Sequence, residues 1–133
     1  MKRNYFLIFF LCLAGCKKET TDLKSEIQGT WELVSSESGW GGHYDYDPGN
    51  GNLVSFDGNE YIQTMKSADS TCHYNGTFTI YTGKPCDFAN EQTLIAFDSA
   101  YYANSFSLGN GRLTIGTTEC IADGGSSTYR KIR

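Results

Sequence analysis

The residues best placed to do chemistry in this chain are its cysteines, and the first that matters is Cys16. Five cysteines occur, at positions 12, 16, 72, 86 and 120. A thiolate is a strong nucleophile, and Cys16 follows Ala14 and Gly15, two small residues that let a backbone enter a peptidase cleft. Upstream, Lys2 and Arg3 precede a charge-free run from Tyr5 to Leu13. A positive start, an apolar stretch and a small-residue cleavage site together predict a signal peptide over residues 1–15. The apolar run is too short to span a bilayer, which needs about 20 residues.

The tetrapeptide Leu13-Ala14-Gly15-Cys16 resembles the lipobox of bacterial lipoproteins. The resemblance implies a triacylated, palmitate-bearing Cys16 as the mature N-terminus, and several acyl chains hold a protein stably at a membrane. Lys17 is not the aspartate that retains such proteins at the inner membrane in the enterobacterial rule, so the resemblance implies a cell-envelope lipoprotein of the outer membrane. Residues 16–28 then form a polar, lipidated tether, with a short helical turn at Leu23 to Ile27, and residues 29–133 the folded domain.

Cleavage after residue 15 removes two of the 11 Lys and Arg and none of the 15 Asp and Glu, leaving a net charge near −6. Such a chain offers no electrostatic footprint for nucleic acid. Asp45, Asp47, Asn50 and Asn52 are oxygen ligands at short spacing, but they lack the central glycine and distal glutamate of a calcium loop. A turn accounts for the same residues. His43, Cys72 and His73 have no metal-ligand spacing. No nucleophile elbow, zinc-protease motif or phosphate loop occurs. The expectation is a binding module that is not an enzyme and needs no cofactor or metal. Asp69-Ser70-Thr71 and Asp98-Ser99-Ala100 resemble the acceptor triplet of a bacterial periplasmic O-glycosylation system.

The elements that must position these residues are strands. After Gly29, short segments rich in Thr, Tyr, Phe, Ile and Val alternate with Gly, Asn and Asp. Eight strands are predicted, at 30–37, 52–57, 60–66, 74–82, 92–98, 104–108, 112–118 and 127–132. Asp57-Gly58-Asn59 and Gly109-Asn110-Gly111 are tight-turn sequences that favour antiparallel hairpins. The fold class is all-β, and either a β-sandwich or a closed eight-stranded up-and-down barrel would hide the two edges.

Gly29-Thr30-Trp31 at the head of the first strand resembles the Gly-x-Trp signature of lipocalins and of small bacterial lipocalin-like lipoproteins. The resemblance implies an eight-stranded antiparallel barrel whose closed end is plugged by Trp31, with Arg130 of the last strand packed over the indole. The chain has no room for a long helix before the last strand, and an eight-stranded barrel can be wholly filled by side chains.

In an up-and-down barrel, alternate connections share an end. Segments 38–51, 67–73, 99–103 and 119–126 fall together, and in lipocalins the first overhangs the open mouth. Trp40, His43, Tyr44, Tyr46, Tyr101 and Tyr102 lie in these connections and form a candidate ligand rim. With Cys16 lipidated, Cys72, Cys86 and Cys120 remain in an oxidising compartment. Cys72 and Cys86 flank a strand too long for a disulfide, and parity puts Cys72 and Cys120 at one end. A Cys72–Cys120 bridge with Cys86 free is therefore predicted.

The expected function is a membrane-anchored, lipocalin-like protein for a small apolar or amphipathic ligand. A pocket lined by Leu33, Phe56, Phe78, Phe97 and Phe106 would suit it. A filled interior would suit the alternative, an envelope protein-interaction or inhibitor module.

Overall fold

The structure, a computed structural model, describes residues 19–133. The expected signal peptide and Cys16 lie outside the described residues. The first described element is a helix, α1 (Thr20–Ile27). Leu23 and Ile27 are its buried residues, and being four apart they share one face. Nine strands follow: β1 (Gly29–Glu37), β2 (His43–Asp45), β3 (Leu53–Asp57), β4 (Glu60–Lys66), β5 (Thr71–Gly83), β6 (Gln92–Phe97), β7 (Asn104–Gly109), β8 (Arg112–Gly116) and β9 (Ser126–Lys131).

All neighbours pair antiparallel, and β1 pairs with both β3 and β9, so eight strands close into a barrel. The expected up-and-down barrel is therefore the fold. Closure satisfies the strand edges that an open sheet would expose. The short β2 is additional. β3 pairs with Gly29–Glu32 of β1, and β2 then takes over the same edge at Ser35, Ser36 and Glu37. The long 38–51 connection is thus partly spent extending the sheet. At the β7–β8 turn both Asn110 (φ 52°) and Gly111 (φ 69°) are left-handed, as the tightest hairpins require.

The closed end is built by α1 and the strand starts. Trp31 Nε1 donates to the Ile27 carbonyl at 2.7 Å, and Gln28 clips the β3–β4 turn by accepting from Gly58 N and donating to Gly58 O. Trp31, the plug, joins Val54, Phe56, Phe78, Ile95 and Leu113 in the buried core. Phe56 and Phe78 meet edge to face, 4.9 Å between ring centres, which favours the pair beyond its area burial.

The barrel is steeply staggered. A ladder from Glu37 passes Ser126, Gly116, Ser105 and Leu94 to reach Tyr81 on β5. A ladder from Gly29 runs the other way through Phe56 and Tyr61 to Gly76. As a result the first half of β5 pairs only with β4, and the second half only with β6.

The stagger overturns the expected cysteine pairing. The disulfide joins Cys86 to Cys120, with Cα atoms 6.1 Å apart, and among the described residues Cys72 is the free, exposed cysteine. Cys72 lies inside β5, opposite Met65, rather than in a connection. Parity fails because it treats the two barrel ends as separate heights. Leu94, near the start of β6, is level with Gly116 at the end of β8, so the 84–91 and 117–125 connections can meet. Gln92 Nε2 donates to Glu119 Oε2 there at 3.0 Å.

This crossing strengthens the weakest seam. β6 and β7 share two residue pairs, against four to seven at every other seam of the barrel. Leu94 and Ile95 are both fully buried although consecutive strand residues face opposite ways. Ile95 belongs to the core, so Leu94 faces out and must be covered. Ala89 and Thr118 are likewise buried, one in each of the two segments that the disulfide joins.

A candidate binding cup at the open end

The lower barrel is filled, and the upper barrel is hollow. A cup of about 320 Å³ is lined on its apolar side by Val54, Phe97 and Ile115, and on its polar side by Gln63, Ser127 and Tyr129 among others. A second hollow of about 210 Å³, which includes Leu33, Ser36, Tyr46 and Met65, shares Gln63, Ser127 and Tyr129 with it. The two are lobes of one mouth. Of the five residues expected to line a pocket, Phe97 lines the cup and Leu33 the second lobe, while Phe56 and Phe78 are packed in the core.

Strand alternation places the lining. Tyr61 and Gln63 lie two apart on β4, and Ser127 and Tyr129 two apart on β9, so each pair shares the inward face. The Tyr61 hydroxyl and Ser99 Oγ are hydrogen-bonded at 2.7 Å, which ties the cup wall to the β6–β7 connection. Tyr61 also meets Phe97 edge to face at 4.7 Å. Ser36 Oγ and the Tyr46 hydroxyl are 3.2 Å apart in the second lobe. Burial pushes the Tyr129 phenol above its ordinary pKa; the Ser127 hydrogen bond opposes this and Tyr46 adds to it.

The barrel-closing signature falls where expected, except for its cation. Gly29 has φ +110°, and a Cβ there would meet the Arg133 carbonyl oxygen at 2.2 Å, so only glycine fits. Trp31 is buried. The cation over its indole is Lys131, with Nζ 5.3 Å from the ring centre, and not Arg130. Cross-strand partners share a face, and the register pairs Trp31 with Lys131 and Glu32 with Arg130. Arg130 therefore lies on the outer face, where Nε donates to Glu32 Oε2 at 3.1 Å. Glu32 Oε1 also accepts from Gly49 N at 2.7 Å, which anchors the 47–51 turn. The Arg130 guanidinium, with help from Gly49, holds the Glu32 carboxyl below its ordinary pKa despite burial.

Of the expected rim residues, Tyr46 lines the mouth. Trp40, Tyr44, Tyr101 and Tyr102 are exposed, and Tyr101 and Tyr102 stack edge to face on each other at 4.6 Å. His43, on β2, sits between Asp45 (3.1 Å) and Glu37 (3.6 Å). The structure gathers Tyr46 with residues that the sequence did not flag: Tyr61, Gln63, Ser127 and Tyr129. Their signal was polar or amphipathic residues at alternate positions of two strands, which looks the same as an outward face.

Asn50, one of the oxygen ligands considered for calcium, donates to the Leu33 and Asp47 carbonyls, so its amide is spent on the turn. Among the described residues no group of three or more His, Cys, Asp or Glu could hold a metal ion. No described helix is long and apolar enough to cross a membrane.

The molecule is thus an eight-stranded antiparallel barrel with a plugged base and a partly polar cup, an architecture compatible with a lipocalin-like fold. No protein-family model, curated protein or solved structure matches the chain.

Proposed function

We propose that this protein is a membrane-anchored, lipocalin-like binding protein that takes a small apolar or amphipathic ligand in the cup. The observation that carries the reading is the cup itself, which lies at the lower end of the size range of small-molecule sites and combines apolar walls with a few convergent polar groups. Lipid on Cys16 would hold the protein at the outer membrane. α1 begins four residues after Cys16 and packs at the closed end, so that anchor would leave the mouth directed away from the bilayer.

A second reading, an envelope interaction or inhibitor module, is favoured by the filled lower barrel and by exposed Trp40 and Tyr101. Rigid aromatic rings of this kind suit a protein partner. Native mass spectrometry after gentle purification separates the two. A co-purifying small-molecule mass supports carriage, and a clean apo mass under every condition supports the interaction module.

A further inference from the structure

The cup and its second lobe contain no Asp, Glu, Lys, Arg or His among their lining residues, in a chain of which 20% is charged. Their polar side chains are all hydroxyls and amides, among them Tyr46, Tyr61, Tyr129, Ser127, Gln63 and Asn104. Charges are kept elsewhere. The Glu32–Arg130 pair is turned to the outer face, and Lys131 is drawn to the closed end, where its Nζ donates to the Glu26 carbonyl.

We infer that the cup selects a neutral ligand, an apolar body bearing hydroxyl or carboxamide-type groups, and rejects anions, fatty carboxylates included; this rests on the binding-protein reading above. A carboxylate entering the cup gives up its hydration and finds no cation to replace it, and an unpaired buried charge is far costlier than a hydrogen-bonded polar group. Hydroxyls and amides can donate or accept, so they satisfy a neutral polar ligand. Val54, Phe97 and Ile115 supply the apolar wall for its body. The net negative charge of the molecule repels an anion before it arrives. The cup alone has the volume of about ten liquid waters, enough for a ligand of one or two fused rings.

The test uses two isosteric probes, naphthamide and naphthoate, titrated calorimetrically into the full chain in neutral detergent at neutral pH, with detergent blanks subtracted. Naphthamide is expected to bind at least tenfold more tightly. Ala100→Trp, which fills the cup from an exposed connection, should abolish that binding, and Gln63→Lys should shift the preference towards naphthoate. Equal binding of both probes by the parent chain overturns the charge selection and leaves the ligand-cup reading standing. Naphthamide binding unchanged by Ala100→Trp places the site elsewhere and overturns the inference. Binding of neither probe overturns the inference and the ligand-cup reading together.

Discussion

Trp31 and Lys131 face each other across the β1–β9 seam, and the lysine ammonium lies 5.3 Å from the centre of the indole. The indole also donates to the Ile27 carbonyl, so one side chain joins the helix, the first strand and the last at the closed end. Lys131→Met should cost about 0.5–1 kcal/mol, the range for a partly exposed cation–π contact. Trp31→Ala should cost about 3–5 kcal/mol, because it empties the plug. Urea denaturation of the two variants measures both, and equal losses would show that the lysine is as important as the ring.

The Glu32 carboxyl is held below its ordinary value of 4.5, first by the Arg130 hydrogen bond. A depressed folded pKa stabilises the protein fully above the unfolded value, and the contribution is lost as pH falls through the folded value. Stability should therefore decline below about pH 4.5, and Glu32→Gln should remove part of that decline. Thermal melts across the acid range give the answer. An identical profile in the variant would mean that other carboxyls control the acid limb.

Tyr129 gives the opposite limb. Its folded pKa is raised above 10.0, chiefly by burial, so its contribution is present below that value and is lost as pH rises beyond it. Tyr129→Phe should flatten the alkaline fall in stability, followed by the same melts above pH 10.

The disulfide closes a loop with a sequence separation of 34, and such a bond stabilises by about 4 kcal/mol on chain-entropy grounds. Cys86→Ser and Cys120→Ser should each lose that amount, and Cys72→Ser should lose almost nothing. Peptide mapping without reductant should yield a Cys86–Cys120 fragment; a Cys72-containing bridge would contradict the fold.

Lipidation is checked directly. Labelled palmitate should enter the chain during expression in a bacterial host, and Cys16→Ser should abolish its incorporation. Label retained in that variant would remove the anchor from the proposal.

Strand positions were legible because apolar alternation and turn residues both mark them: Phe106 and Leu108 before Asn110-Gly111, Leu113 and Ile115 after. β2 was not, since His43, Tyr44 and Asp45 are three exposed residues among glycines and carry no alternation. The Arg130/Lys131 exchange is a register error of one residue, and such a slip exchanges the two faces of a strand. The cysteine pairing escaped because it depends on stagger, which no local pattern encodes. The cup was hidden for a related reason. Gln63 and Ser127 have the polarity of outward residues, and only closure of the barrel turns them inward.

The strap between Cys86 and Cys120 also divides the mouth mechanically. Its loop encloses β6, β7 and β8, so the wall that carries Asn104 and Ile115 is held from outside. The opposite wall, β4 with the first half of β5, has a free flank where β5 has no second neighbour. Local opening is drawn from the least supported segments. The β4–β5 hairpin carrying Gln63, up to Phe78 where β6 takes over the pairing, is therefore the less supported wall of the mouth, and hydrogen exchange should be faster there than in the wall behind the disulfide.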